Sequence, residues 1–354
     1  MIVTSFFRSF CLASLIAVCA SAPEAQGQSS LPALRASPAS SITQTIGFTD
    51  VTVKFHRPGV KGRDIFGSLV PFGQMWRVGA NQNTTMTFQA PVSVNGQELP
   101  AGTYGFQLIP FRDRPWTVVF SEQSNLWGNL GYDKSQDALR LEVAPEMGGE
   151  TERMNFEFTP IDDSSCTLAL QWADVSLPLN LEVDLNVSKF FALQDLIERQ
   201  GADDPALLLS AAQWAIETNQ GLEDALGWIE RAATQEKTFT TLGVQTQLLD
   251  LLGRSDEAAP LKIEAWMVAT EDDLSRMGGQ LMSNRQYTEA IPIFELNVRN
   301  SPESWKAHDQ LAEAYLKSGD KPSAMNAYAK ALGFANDDGT RERINKTMAE
   351  LQAN

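Results

Sequence analysis

The sequence predicts two folds in one chain: an antiparallel β-sandwich or barrel-like domain followed by an α-helical solenoid. Three observations predict this. From about residue 41 to 186, apolar residues recur at every second position, as strands with one wet and one buried face require. After about residue 187 they recur at three and four, the helical period. Within the helical part, Ala225, Ala258, Ala290 and Ala324 recur at spacings of 33, 32 and 34 residues, which marks stacked units rather than one bundle. The expected divisions are a leader over 1–20, a linker over 21–40, a β-rich domain over 41–186 and about four helical repeats over 202–352.

Composition narrows the function. The 354 residues are 43% hydrophobic and 20% charged, which excludes a wholly disordered chain. Lys plus Arg is 28 against 44 Asp plus Glu, a formal charge of −16. That field repels phosphate backbones and argues against a nucleic-acid partner. Two His residues leave little room for a His-rich metal site or a histidine base.

The N-terminus places Arg8 before an apolar run from about Phe10 to Ala20. Val18 and Ala20 occupy the −3 and −1 places of a cut before Ser21, with a later cut near Gly27 as the alternative. The run is too short for a bilayer core of roughly 30 Å. It reads as a cleaved export signal. Val18 stands where lipoprotein acylation of Cys19 usually requires a small residue, so a lipid anchor is not expected. With Cys11 and Cys19 in the leader, the mature chain keeps only Cys166. That thiol shares parity with Leu168, Leu170 and Trp172 and is expected to be buried and inert.

The strands follow in order. Val51, Val53 and Phe55 alternate with Thr52 and Lys54. Thr84–Phe88, Tyr104–Leu108, Trp116–Phe120, Leu139–Val143 and Met154–Phe158 obey the same rule, and Leu177 to Leu185 is the longest case. Asn95-Gly96 between two short apolar runs is the strongest hairpin signal, because both residues tolerate φ > 0. Eight or nine short strands joined by turns suit a sandwich or barrel. Asp204-Pro205 then opens the first of roughly eight helices, with Pro in the first turn where its missing N–H costs nothing.

The last helical unit carries Leu311, Ala312, Tyr315, Gly319, Ala324, Tyr328 and Ala331. Small and large residues alternate where two antiparallel helices must touch, and Gly319 falls in the turn. Gly278, Leu281, Ala290, Phe294 and Pro302 occupy matching places one unit earlier, and Pro292 suggests a kink there. The pattern resembles the tetratricopeptide repeat, whose period is 34. The resemblance implies a right-handed solenoid with a concave groove that holds a protein or peptide. A spacer or dimerisation surface is the alternative. Residues 186–354 hold 16 basic and 26 acidic side chains, net −10, which favours a basic partner.

Between Phe55 and Gln82 the alternation gives way to HRPGVKGRDIFGSLVPFGQMWRVGAN. Arg57, Lys61, Arg63 and Arg77 stand there against a single acid, Asp64. With LPAGTYGFQLIP, WTVVFS and NLWG downstream, this block resembles the bacterial secreted family known as domain of unknown function 2911, over about residues 40–185. The resemblance implies an exported β-rich domain, in the periplasm or at the cell surface, and no activity. His56 stands where the family usually has an aromatic residue.

Two roles suit the block. Lys61, Arg63, Arg77 and Asn81 could hold an anionic or glycan ligand, with Trp76 as wall or stacking platform. Alternatively, Arg and Asn tie the loop to backbone carbonyls while Ile65, Phe66, Leu69, Val70 and Trp76 plug the core. Trp116 and Trp172 have core parity, whereas Trp127, beside Gly128, is the best exposed aromatic. His56 is expected to be a hydrogen-bonded structural residue. Asp162-Asp163 reads as a turn, because the oxygen spacing of a calcium loop is missing. No Gly-x-Ser-x-Gly elbow, Walker loop, His-Glu-x-x-His or paired-Cys motif occurs. No catalytic residue, metal or cofactor is assigned. The expected function is an exported, non-enzymatic binding or scaffold protein, the alternative being a ligand-binding or weakly catalytic β-domain.

Overall fold

The computed structural model describes residues 34–353. The leader, its cut positions, Cys11 and Cys19 lie outside the described residues, as does most of the segment read as a linker.

Ten strands occur among the described residues: β1 (Ala39–Ile46), β2 (Thr49–His56), β3 (Thr84–Phe88), β4 (Val92–Val94), β5 (Gln97–Leu99), β6 (Gly102–Ile109), β7 (Trp116–Ser121), β8 (Asp137–Val143), β9 (Glu146–Pro160) and β10 (Ser165–Glu182). One sheet runs β1-β2-β3-β6-β7-β8 and the other β5-β4-β10-β9, every pairing antiparallel. The alternation sends Val51, Val53, Phe88, Phe106 and Phe120 from one sheet, and Phe156, Leu168 and Leu179 from the other, into a single core. Phe156 bridges the layers, its ring centroid 4.9 Å from Phe55 and 6.0 Å from Phe106. Asn95 and Gly96, at φ 49° and 80°, join β4 to β5 as a two-residue turn. Trp116, Trp172 and Cys166 are buried, and burial pushes the Cys166 thiol pKa up.

The strand count exceeds the eight or nine expected. β1 starts at Ala39, inside the stretch read as a linker, because its Ser and Thr residues carry little apolar signal. β10 is one strand of 18 residues where two runs were read, with a register shift at Ala173, whose φ is 54°. Leu185 continues the strand parity yet begins a helix, because the Asp184 carboxylate accepts the N–H groups of Asn186 and Val187 and caps it.

The six-stranded sheet is buried on both sides near β7, since the loop after it returns across the outer face. Ser121 Oγ donates to Gln136 O at 3.2 Å, and Asn83 Nδ2 donates to Gln123 O at 3.2 Å. At Gly105, a Cβ would stand 2.5 Å from Gln123 O and 2.6 Å from Asn83 Nδ2. Gly105→Ala is therefore expected to cost about 1–3 kcal/mol by overpacking and to lift residues 122–130 from the sheet. Denaturant unfolding together with amide shifts of Gln123–Leu130 checks this, and wild-type stability would contradict it.

Ten α-helices follow among the described residues: α1 (Leu185–Gln194), α2 (Pro205–Thr218), α3 (Leu222–Gln235), α4 (Phe239–Leu251), α5 (Ser255–Val268), α6 (Glu271–Ser283), α7 (Tyr287–Asn300), α8 (Trp305–Ser318), α9 (Lys321–Phe334) and α10 (Asp338–Ala353). Residues 187–201, left unassigned between the two domains, complete α1 and a π-helical turn over Asp195–Arg199. Asp204 caps α2 and Pro205 is its first residue. Four hairpins result, α2–α3, α4–α5, α6–α7 and α8–α9, with α10 packed on α9.

Ala225, Ala258, Ala290 and Ala324 are each the fourth residue of the second helix in a hairpin, and each is fully buried. A methyl group is what lets the two backbones approach there. Tyr328 and Phe294 are buried beside them, and Tyr315 reaches outward to donate to Glu295 Oε1 at 2.6 Å. That bond to a carboxylate is the main reason the Tyr315 hydroxyl pKa is pushed up to about 12. Gly319 ends α8 at φ 95°, a left-handed position that suits glycine. Pro292 lies inside α7 and Pro260 inside α5, and neither ends its helix.

The helical array holds two separate cores. One joins Leu208, Ala212, Trp228, Ile229, Leu248 and Ala258. The other joins Ala290, Phe294, Ala312, Ala324, Tyr328 and Ile344. Packing between α5 and α6 is slight, so the stack is interrupted after the second hairpin. Ile263 and Met267 on α5 remain 66% and 78% exposed. No helix among the described residues is long and apolar enough to cross a membrane.

Candidate ligand clefts beside Arg77

The segment linking β2 to β3 is fastened at both ends by backbone bonds. Val60 N–H donates to Glu152 O at 2.7 Å, and Met154 N–H to Pro58 O at 3.0 Å, which ties its start to β9. Trp76 N–H donates to Leu108 O at 2.7 Å and Leu108 N–H to Trp76 O at 2.9 Å, which ties its end to β6. Between these, Ile65 and Val70 are buried and Phe66 packs its edge on Trp76 and Trp172. Leu69, expected in the core, is exposed.

Trp76 is a core residue rather than a platform. It is 8% exposed and stacks on Trp172 with centroids 5.6 Å apart and planes 20° apart. Arg63 is likewise committed to the loop: Nε donates to Val60 O at 3.0 Å and Nη2 to Gly59 O. Arg57 does the same with Met154 O at 3.1 Å. Lys61, at φ 50°, is exposed, and its N–H donates to Glu152 Oε1 at 3.1 Å.

Four of the five candidates still share a cleft. Lys61, Arg63, Trp76 and Arg77, with Leu69 and Trp172, line a space of about 400 Å³. Trp172 Nε1, shut off from solvent, has no hydrogen-bond partner. Asn81 lies elsewhere. It lines a second cleft of about 440 Å³ with Arg77, Trp127, Gly128, Asn129 and Leu130. Arg77 is the residue common to both.

The second cleft has fixed walls. Asn83 N–H donates to Leu126 O at 3.1 Å, Gly128 N–H donates to Asn81 O at 3.3 Å, and Gln82 and Trp127 form an antiparallel bridge. Asn81 adopts φ 61°. Asn129 Nδ2 donates to Met75 O at 2.7 Å, leaving a buried Oδ1 with no donor. Trp127 is 59% exposed, as its loop position predicted.

The Arg77 side chain makes no hydrogen bond or ion pair with a described residue, and its buried Nε is unpartnered. Burial lowers its pKa, which for a guanidinium leaves the charge in place. The pKa of His56 is lowered by burial first and then by the charges of Arg35 and Arg77. No hydrogen bond among the described residues reaches its ring, contrary to the structural bond expected for it. Among the described residues no cluster of three or more His, Cys, Asp or Glu is placed to hold a metal ion.

Sequence reasoning missed Asn129, Leu130 and the Trp172 indole, and did not join Trp127 to Arg77. The pairing of residues 81–83 with 126–128 brings these groups together, and a backbone bridge across that separation leaves no period in the sequence.

No curated protein matches the chain. Among solved structures, MamA 41-end from Desulfovibrio magneticus RS-1 is 21% identical, over 43% of this chain and 93% of that one, at a TM-score of 0.25. YrrB, described as a TPR protein with an unusual peptide-binding site, is 17% identical over 46% and 82%, at 0.28. Residues 37–181 match the family model described as "Protein of unknown function (DUF2911)". Residues 37–181 thus form a DUF2911 domain, the β-sandwich that bears the Arg77 clefts, and an array of α-helical hairpins follows it.

Proposed function

We propose that this chain is an exported, non-enzymatic binding protein whose helical hairpins hold a partner protein or peptide. The observation that carries the reading is the array itself. Four hairpins present the same buried Ala at the same helix position, so contacts within the array are repeated while outward residues are free to differ. Ile263, Met267 and Leu251 add exposed apolar surface where the stack is interrupted. The net charge of −10 over residues 186–354 favours a basic partner segment. Export rests on the leader-like residues 1–20. Cross-linking of the full chain to its partner tests the reading, with cross-links expected on residues 205–334 and impaired capture by an Ile263→Asp, Met267→Asp variant. Wild-type capture by that variant, with every cross-link on residues 37–183, would overturn it.

A second reading is a β-domain site for an anionic or glycan ligand. Arg77 favours it, as a partly buried cation with neither hydrogen bond nor ion pair, facing two open clefts. Leaving a desolvated charge unpaired is costly, and a ligand anion would relieve that cost.

A further inference from the structure

Resting on that second reading, we propose that the cleft between Asn81 and Asn129 binds an acidic sugar, a pyranose bearing a carboxylate. Arg77 takes the carboxylate, Trp127 takes the ring face, and the Asn81 amide takes a hydroxyl.

The donor set selects this class. Arg77 offers a planar fork of N–H groups matched to a carboxylate. Its Nε is already out of water and unpartnered, so that donor has been desolvated before any ligand arrives. Arg77 is the one cation among the described residues that line this cleft, which fits a single negative charge better than a phosphate dianion. Trp127, 59% exposed, stands on a loop whose backbone is pinned to Asn81 and Asn83. A fixed, flat, exposed indole is a surface for the C–H face of a sugar ring. A small anion such as acetate would leave it uncovered.

Asn81 supplies the complement, an amide lining the cleft that can bond a sugar hydroxyl. The volume, about 440 Å³, is within the range of roughly 300–1,000 Å³ usual for small-molecule sites. A neutral sugar would leave Arg77 unpaired, and an aliphatic acid would leave Trp127 and Asn81 unused.

The test uses the full chain and three probes: digalacturonate, its dimethyl ester and acetate. Calorimetric titration is expected to show digalacturonate binding, with the ester and acetate at least tenfold weaker. Trp127→Ala, an exposed position, and Arg77→Gln are each expected to weaken digalacturonate at least tenfold, with circular dichroism unchanged. Equal affinity for acid and ester, or wild-type affinity in Trp127→Ala, would overturn the proposal. So would a loss caused by Lys61→Ala but not by Trp127→Ala, which would move the ligand to the neighbouring cleft and leave the broader reading standing. Absence of binding by all three probes overturns the acidic-sugar assignment. The broader reading falls only if inorganic phosphate and methyl glucoside also leave the indole N–H signals of Trp127 and Trp172 unmoved.

Discussion

Phe294→Ala is expected to destabilise the second helical core by about 3–5 kcal/mol, the range for removing a buried aromatic ring. The Phe294 side chain is fully buried on α7 and packs on Gly278 of α6, where an added Cβ would clash with the ring. No larger residue at 278 can move in to fill the space, so the cavity persists. The ring belongs to one core with Ala290, Ala312, Ala324 and Tyr328 and touches neither the first helical core nor the sandwich core. Hydrogen exchange of the full chain is the suitable measurement, since three cores make a single unfolding transition unsafe to assume. Protection should fall in α6 to α9 and persist in β6, β7 and β10. A uniform loss across the chain would show that the cores unfold as one and would contradict the division drawn here.

Trp172→Ala is expected to cost a similar 3–5 kcal/mol, but in the sandwich. Trp172 is buried, stacks on Trp76 at 5.6 Å and receives Phe66 at 6.2 Å. These two rings are how the long segment between β2 and β3 is held in the core. Its indole N–H has no partner, so the loss is one of packing rather than of a hydrogen bond. Limited proteolysis should then cut between residues 61 and 75, where the wild type is expected to resist. Trp172→Phe should retain most of the protection. Resistance equal to wild type in the Ala variant would show that the backbone bonds at Val60 and Trp76 hold the loop without the stack.

Local patterning carried most of the architecture. Alternation at Val51–Phe55 or Leu139–Val143 states a strand because both faces of a sheet are decided residue by residue. The four Ala positions state hairpins because one close approach recurs at one place in each pair. Where a weak pattern meets an edge, reading fails: β1 pairs only with β2 and has Ile42 and Ile46 as its apolar residues. Leu185 fails for another reason. Its parity is that of a strand, but Asp184 caps a helix, and the cap decides.

The site was legible in part. The basic, Gly-rich block announced Lys61, Arg63, Trp76 and Arg77 near one another, and they line one cleft. Which of them is free for a ligand was not legible. Arg63 is occupied by carbonyls three and four residues behind it, and Trp76 by a ring from β10. Arg77 is left without an acid because of what the fold does not bring near it. Asn81 parts from the group because residues 81–83 turn to pair with 126–128.

The role proposed for the helical hairpins is to hold another protein. Cross-linking mass spectrometry on the intact chain in complex with its partner tests it most directly. Partner cross-links are expected on exposed residues of α2 to α9, and their loss in the Ile263→Asp, Met267→Asp variant. Cross-links confined to the sandwich, with the variant behaving as wild type, would contradict it.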